Sequence, residues 1–113
     1  MTSFDDIDKM AIQTICETYE EGAILMDQYL NAKILQRKTS PVGWFTDFHV
    51  DSNCTCLSVK NGDVGNADAR VKDMKRGIGF LLWIEDGMLS CLEAFTYEEN
   101  FPEHIEVISI ANN

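Results

Sequence analysis

The chain has 113 residues, which fits one domain with a single hydrophobic core, and 45% of them are apolar, an ordinary share for a globular protein. Its formal net charge of −10 disfavours binding to nucleic acid or to an anionic membrane surface. No apolar run approaches the ~20 residues of a membrane-spanning helix. The first residues also lack the basic and apolar parts of a signal peptide, so we expect a cytoplasmic protein.

The acidic residues are concentrated towards the two ends of the sequence. Residues 1–31 contain seven acids and one base, and residues 77–113 contain seven acids and no base. This distribution favours a basic protein as the partner, because opposite charge accelerates encounter. The simpler interpretation is that the acidic charge only keeps a small protein soluble.

The first 31 residues predict helices. Ser3 followed by acids is typical of a helix start, because serine is a preferred N-cap and negative charge opposes the helix dipole. Apolar residues recur at helical spacing over Phe4–Tyr19, and Gly22 is expected to end this helix. A shorter helical pattern follows over Ala23–Leu30, so either two helices or one kinked helix is predicted. The polar faces are predicted to carry Asp8, Glu17, Glu20, Glu21 and Asp27.

The remainder of the chain, residues 32–113, predicts a mostly antiparallel sheet. Its strands are predicted at Ala32–Thr39, Val42–Val50, Cys54–Lys60, the two arms of a hairpin within Gly77–Tyr97, and His104–Ile110, the last at an edge. Val64–Arg76 is polar and irregular, which indicates a loop. We therefore predict one α+β domain over residues 1–113, with one or two N-terminal helices packed on a meander of about five to six strands.

The hairpin within Gly77–Tyr97 is the clearest element. Asp86-Gly87 separates two apolar runs, and this dipeptide favours a tight turn because both of its residues accept positive φ. With these two residues as the loop, Glu85 faces Met88, and counting back pairs Phe80 with Glu93. Glu93 would then lie on the more apolar face of the hairpin.

A carboxylate at that position requires a hydrogen-bond partner if the face is covered. Arg37, Trp44 or a backbone amide are the expected partners of Glu93, and its pKa would then be perturbed. This placement raises an alternative function, namely a small enzyme or ligand-binding domain with a pocket around Glu93, Tyr97 and Trp44.

Metal binding and catalysis have weak support in the sequence. His49, Cys54, Cys56 and His104 are ligand types, but the Cys-x-Cys pair lies outside the usual Cys-x₂₋₄-Cys spacing of zinc sites. Neither a nucleophile motif nor a glycine-rich phosphate loop is present. We therefore predict a protein that is not an enzyme and holds no metal and no cofactor.

Four segments carry a family resemblance: Gln28–Leu30, Arg37–Phe48, Gly77–Gly87 and Leu92–Tyr97. They resemble a family of small acidic bacterial proteins without assigned activity, whose pattern is a Gly-x-Gly-Phe strand, an Asp-Gly turn and a Leu-Glu-x-Phe-Thr-Tyr strand. The resemblance spans most of residues 28–102 and departs from the pattern at Ser40-Pro41, where the family usually has Thr-Gly, and over 61–76, which does not align with it. Such proteins are similar in character to the immunity proteins of contact-dependent inhibition systems.

The resemblance and the charge together imply an immunity protein that occludes the active site of a basic toxin domain, for example a nuclease. Its docking residues are predicted near the two ends of the hairpin, with an exposed aromatic anchor among carboxylates. These residues are Glu85, Asp86, Glu98, Glu99, Phe101, Glu103 and Glu106. The chain would be a monomer or a weak homodimer, and a domain that self-associates through an edge strand is the other open alternative.

Overall fold

The computed structural model describes residues 3–97 and 100–112, so Glu98 and Glu99 of the predicted docking set lie outside the described residues. Within this part of the chain, two helices precede six strands: α1 Phe4–Thr18, α2 Gly22–Leu30, β1 Lys33–Ser40, β2 Gly43–His49, β3 Asn61–Val71, β4 Ile78–Glu85, β5 Met88–Thr96 and β6 Val107–Asn112. The strands form one antiparallel sheet with the helices packed on it, which confirms the α+β prediction. No helix among the described residues is long and apolar enough to cross a membrane.

The start of α1 is the predicted one, but its end is not. The Ser3 hydroxyl accepts a hydrogen bond of 3.1 Å from the Asp6 amide, as an N-cap should. The helix ends at Thr18, and Gly22 begins α2 instead of ending α1. A Cβ on Gly22 would lie 2.0 Å from the Cys16 carbonyl oxygen, so only glycine allows this tight corner between the helices.

The sheet order is β1-β2-β5-β4-β3-β6, so the predicted meander is wrong. The cause lies in residues 50–60, where a strand was predicted at Cys54–Lys60. This segment instead bonds to the hairpin turn, with Leu57 N donating to Gly87 O and Gly87 N donating to Lys60 O, both at 2.9 Å. The chain thereby passes the tip of the hairpin and reaches the far side of β4. The last strand, β6, lies at the edge beside β3, slightly later than predicted.

The predicted loop at Val64–Arg76 forms most of the long strand β3 instead. Along β3, the small residues Gly65, Ala67 and Ala69 alternate with polar ones and face helix α1. A Cβ on Gly65 would lie 2.9 Å from Cγ2 of Ile15, so the helix approaches too closely for larger side chains. The low hydrophobicity of β3 is therefore a consequence of close helix packing.

The β4–β5 hairpin has the predicted turn, with φ of 53° at Asp86 and 77° at Gly87. Glu85 pairs with Met88 as predicted. Beyond the turn, a β-bulge between Leu89 and Cys91 shifts the register by one residue.

The bulge reverses the predicted position of Glu93. Phe80 pairs with Ala94, and Glu93 pairs with Leu81, so the predicted Phe80–Glu93 pair is wrong. Leu89 and Leu92 are three residues apart, and residues at an odd spacing lie on opposite faces of a regular strand. Both are buried on the helix side because the bulge adds one residue between them. Glu93 is consequently placed on the opposite face of the sheet.

A single hydrophobic core lies between the helices and one face of the sheet. Its largest fully buried apolar side chains are Trp44, Phe80, Ile7, Ile12, Ile15, Leu25, Leu57, Ile78, Leu82, Leu89 and Leu92. The helices lie on this one side only, which leaves the other sheet face without a helix layer.

Candidate functional site

The sheet face opposite the helices, here called the uncovered face, combines aromatic and acidic side chains. Successive side chains of a strand point to opposite faces of the sheet. The residues next to the buried ones in β2, β3, β4 and β5 therefore lie on the uncovered face. Its apolar members are Phe45, Leu81, Trp83, Cys91, Phe95 and Tyr97, and its acidic members are Asp47, Asp63, Asp68, Glu85 and Glu93. Phe45 is 46% exposed and Trp83 is 37% exposed, which is unusual for rings in the middle of a sheet.

The aromatic side chains of the uncovered face are held in place by packing. The Phe95 and Tyr97 rings make an edge contact, with centroids 5.4 Å apart. Both rings lie over Gly79, where a Cβ would be 2.4 Å from the Tyr97 hydroxyl and 2.6 Å from Cζ of Phe95. Gly79 therefore makes room for a fixed aromatic pair.

Neutral hydrogen-bond donors orient the carboxylates of the uncovered face. The Gln36 amide donates to Asp47 at 2.6 Å, and the Trp83 indole N–H donates to Oε1 of Glu93 at 3.2 Å. The Tyr97 hydroxyl donates to Asp68. These bonds fix the direction of each carboxylate and leave its negative charge uncancelled.

The ion pairs given for the described part of the chain lie elsewhere. Within residues 3–97 and 100–112, they join Arg37 to Asp5 and Asp8, and Lys72 to Glu106. None of them includes an acid of the uncovered face. The described cations that lie on the same face are Lys33, Lys38 and Arg70, fewer than its carboxylates, which leaves an excess of negative charge.

Two titratable groups of the uncovered face stay protonated at neutral pH. Burial, followed by a hydrogen bond to Asp47 and the charges of Asp47 and Glu93, raises the pKa of the Cys91 thiol to about 12. Burial, followed by the bond to Asp68, raises the pKa of Tyr97 to about 12. Cys91 is therefore not an activated nucleophile, since reactive cysteines have a lowered pKa.

A cavity of about 400 Å³ opens on the uncovered face beside Glu93. Its lining residues are Lys38, Thr39, Ser40, Val42, Gly43, Phe45, Glu93, Ala94 and Phe95. We call it the Glu93 cavity. It does not include Trp44 or Tyr97.

The predicted pocket around Glu93, Tyr97 and Trp44 is therefore wrong. Trp44 is only 1% exposed on the helix side of the sheet, where its indole N–H donates to Asp8 at 2.9 Å. Glu93 and Tyr97 lie on the other side because the β5 bulge reverses their direction relative to the predicted register. The partner of Glu93 is Trp83, which was not among the predicted ones.

The predicted docking residues occupy opposite ends of the hairpin. Glu85 and Asp86 are exposed at its turn, while Glu103 and Glu106 are exposed after its far end. Strand β5 between them has nine residues and so spans roughly 27 Å. The two groups form separate acidic ends, with the uncovered face between them.

Phe101 does not serve as an exposed anchor. Its ring is half-buried and packs against Trp44, with the ring centroids 5.5 Å apart, and its amide donates to Pro41 O at 3.2 Å. The connection from β5 to β6 thus uses Phe101 to close the end of the core. On the uncovered face, the exposed rings are Phe45 and Trp83 instead.

Asp8 was predicted on a polar helix face, but it is buried at 2% exposure. Its carboxylate accepts hydrogen bonds from Trp44, Thr46 and Arg37 at 2.7–2.9 Å. Burial alone would lower the pKa of Arg37, but its bonds to Asp8 and Asp5 outweigh that effect and raise it. The sequence did contain a signal, because Asp8 follows Phe4 by four residues and precedes Ile12 by four, within the apolar stripe.

The described residues contain no group of three or more His, Cys, Asp or Glu side chains that could hold a metal ion. All four cysteines are free thiols. The zinc candidates His49, Cys54, Cys56 and His104 are thus not brought together into such a group.

Comparison with known proteins gives no family model, no curated protein and no solved structure that matches this chain. The resemblance to small acidic bacterial proteins therefore remains a prediction from the sequence motifs. The function has to be inferred from the uncovered face and its chemistry.

Proposed function

We propose that this chain is a protein-binding domain that docks a basic protein on its uncovered face. In its narrower form, the proposal is a cytoplasmic immunity protein that occludes the active site of a basic toxin domain, such as a nuclease. One observation carries it: exposed aromatic rings at the centre of the face are surrounded by carboxylates whose charge no ion pair within the described residues neutralises.

The arrangement has the anatomy of a protein interface. Aromatic side chains dominate the binding energy of interfaces, while polar groups around them exclude water and provide specificity. Phe45 and Trp83 would supply the apolar centre, and Asp47, Asp68 and Glu93 the charged surroundings. Because neutral donors already orient these carboxylates, binding would require little reordering of side chains.

The dimensions of the molecule suit such an interface. A stable complex buries about 800 Å² on each partner. The extents of 41 and 26 Å along the two longer axes provide a side of this size. The acidic ends, Glu85 with Asp86 and Glu103 with Glu106, would then flank the contact and steer a basic partner towards it.

Inhibition needs no chemistry from this chain. A basic nuclease domain binds phosphates, and an array of carboxylates on a rigid sheet would occupy the same cationic surface. The toxin would be blocked by being covered, so growth protection should follow binding affinity.

The apolar centre is tested with the double variant Phe45→Ala/Trp83→Ala, using a candidate basic toxin domain as the partner. We expect its Kd to rise by about a hundredfold, since two interface hot spots are lost. Surface plasmon resonance gives the affinity, and growth after co-expression gives the protection. The matched control Leu30→Ala/Ile108→Ala removes two exposed apolar side chains elsewhere and should change Kd less than about threefold.

The charged surroundings are tested separately. Charge reversal in Glu85→Lys/Asp86→Lys should lower the association rate and weaken its salt dependence, whereas Glu17→Lys/Glu20→Lys, at the end of α1 and in the turn after it, should affect it less. Unchanged affinity in the aromatic double variant, or an association rate independent of ionic strength, would contradict docking on the uncovered face.

A second candidate is self-association through the edge strand β1. Ile34 and Leu35 are exposed on this strand, at 48% and 66%. Exposed apolar edge strands tend to pair with another strand. Analytical ultracentrifugation checks this candidate, since a dimer that Leu35→Glu dissociates would support it and a monomer at high concentration would exclude it.

A further inference from the structure

We infer that the Glu93 cavity receives one arginine side chain of the docked partner, with the guanidinium between the rings of Phe45 and Phe95 and beside the Glu93 carboxylate. This inference rests on the proposed function and names the chemistry of its central contact.

Gly43 lines the Glu93 cavity without a side chain, and its backbone lies so close to β5 that a Cβ would be 2.4 Å from the Ala94 carbonyl oxygen. Gly43 on β2 pairs directly with Phe95 on β5, so the uncovered face has no side chain beside the Phe95 ring on that side. The ring itself lies over Gly79 on the other side, packed against Tyr97. In the next row, Phe45 pairs with Glu93 and bounds the gap. The resulting cavity of about 400 Å³ has the size of a small-ligand site.

Glu93 supplies a fixed negative charge at this gap. Its Oε1 accepts the Trp83 indole N–H at 3.2 Å, which orients the carboxylate without neutralising it. Aromatic faces attract cations, and a carboxylate beside them adds a charge-assisted hydrogen bond. A cation is therefore the occupant that the cavity favours, in agreement with the net charge of −10.

Arginine suits the cavity better than lysine. Its planar guanidinium stacks on rings and is more weakly hydrated than an ammonium group, so it loses less on entering a mostly apolar gap. It can also bond a carboxylate through two N–H groups while its plane lies against a ring. The lining supplies two rings and one carboxylate, which match those two requirements.

Lys38 is the one feature of the lining that opposes a cation. It pairs with Phe45 across β1 and β2, and its side chain is exposed at the rim. No ion pair within residues 3–97 and 100–112 joins it to Glu93. Neutralising Lys38 should therefore strengthen arginine binding, whereas the loss of Glu93 or Phe45 should weaken it.

The two tryptophans provide a built-in reporter and control. Trp83 contacts Glu93, while Trp44 is buried against Asp8 on the other side of the sheet. In a ¹⁵N-resolved NMR titration with the peptide acetyl-Gly-Arg-Gly-amide, the Trp83 indole signal should shift saturably with a millimolar Kd, and the Trp44 signal should stay fixed. The citrulline peptide, its neutral isostere, should bind at least about tenfold more weakly, and the lysine peptide should bind more weakly than the arginine one.

Single substitutions assign the contact to the cavity. Glu93→Gln keeps an acceptor for Trp83 but removes the charge, and Phe45→Leu keeps an apolar side chain but removes the ring; each should weaken arginine binding about fivefold. Lys38→Met should strengthen it about twofold. Glu85→Gln makes the same charge change outside the cavity and should have little effect. The fixed Trp44 signal shows in each case that the core is intact.

Failure of this inference can be separated from failure of the proposed function. Equal shifts with the arginine and citrulline peptides, no shift of Trp83, equal binding of the lysine peptide, or unchanged binding by Glu93→Gln would overturn the arginine site. None of these results bears on the aromatic double variant, which tests docking of the whole partner.

Discussion

At the scale of single residues, the buried Asp8 carboxylate fixes helix α1 on the sheet. It accepts bonds from Trp44 and Thr46 of β2 and from Arg37 of β1, which tie three elements to one side chain. The Asp8→Asn variant should lose about 3 kcal/mol of unfolding free energy, because Arg37 would keep a partly buried charge without its main counter-ion. Urea denaturation measures this loss.

Asp5→Asn is the matched control, since Asp5 pairs with the same arginine from a side chain that is 71% exposed. Exposed ion pairs contribute little, so its loss should stay below about 1 kcal/mol. Similar losses in the two variants would mean that the buried network does not anchor the helix.

Tyr97 should couple stability to alkaline pH. Burial, followed by its bond to Asp68, raises its pKa from 10 to about 12. A group whose pKa is raised by folding contributes stability that is present below the unfolded pKa and lost as pH rises through the folded one. Stability should therefore fall between about pH 10 and pH 12, and less so in Tyr97→Phe.

Spectrophotometric titration of tyrosinate gives the pKa of Tyr97 directly, as the difference between the wild type and Tyr97→Phe. Asp68→Asn removes the second cause of the shift, so the pKa of Tyr97 should fall part of the way towards 10. An unchanged value in Asp68→Asn would show that burial alone sets it.

At the scale of secondary-structure elements, the fully buried Gln28 joins α2 to the hairpin turn. Its amide nitrogen donates to Thr55 O at 2.7 Å and Gly87 O at 3.0 Å, and its oxygen accepts from Leu89 N at 2.8 Å. Gln28→Leu should cost about 3 kcal/mol, because it leaves Leu89 N and Thr55 O without this partner, while Gly87 O keeps its bond from Leu57 N. Hydrogen exchange at the Leu89 amide should become faster.

Asn31→Ala serves as the comparison for Gln28→Leu. Asn31 donates to Asp27 O at 2.8 Å from an exposed position at the end of α2, where water can replace the bond. Its loss should stay below about 1 kcal/mol. A Leu89 amide that exchanges no faster in Gln28→Leu would contradict the proposed link between helix and turn.

The sequence predicted the elements whose signals are local. Ser3 caps α1, and Asp86-Gly87 forms the turn, because both depend on a few neighbouring residues. Strand β3 was missed because its small residues follow from close packing against α1, which is a distant contact. The strand order was missed for the same reason, since bonds between Leu57 and Gly87 determine it.

The candidate site was only partly predictable. Glu93 was recognised as an unusual carboxylate, but the β5 bulge, which no local motif marks, placed it beside Trp83 and not beside Phe80. Phe101 was expected to be exposed because its neighbours are acidic, yet it closes the core against Trp44. The register of strand pairing decides which side chains lie on each face of a sheet. One extra residue in a strand therefore moves the residues after it to the opposite face.

At the scale of the whole molecule, the acidic residues on the two sides of the sheet have different kinds of partner. On the helix side, Asp8 is neutralised by Arg37, which also pairs with Asp5. On the uncovered face, the carboxylates bond to neutral donors and keep their charge. A positively charged partner would therefore be attracted electrostatically to the uncovered face, which also exposes aromatic rings.

This excess of unpaired acid predicts that salt stabilises the folded protein. With 19 acidic and 9 basic residues, repulsion among like charges outweighs the ion pairs present, and screening reduces both. Urea midpoints should rise between about 20 mM and about 0.5 M sodium chloride, by the equivalent of about 1 kcal/mol. Glu17→Gln/Glu20→Gln, which removes two exposed charges from α1 and the turn after it, should be more stable at low salt and less responsive to added salt. A midpoint that falls with salt would instead mean that attractive pairs dominate the electrostatics, and the uncovered face would then lack the free negative charge that docking of a basic partner requires.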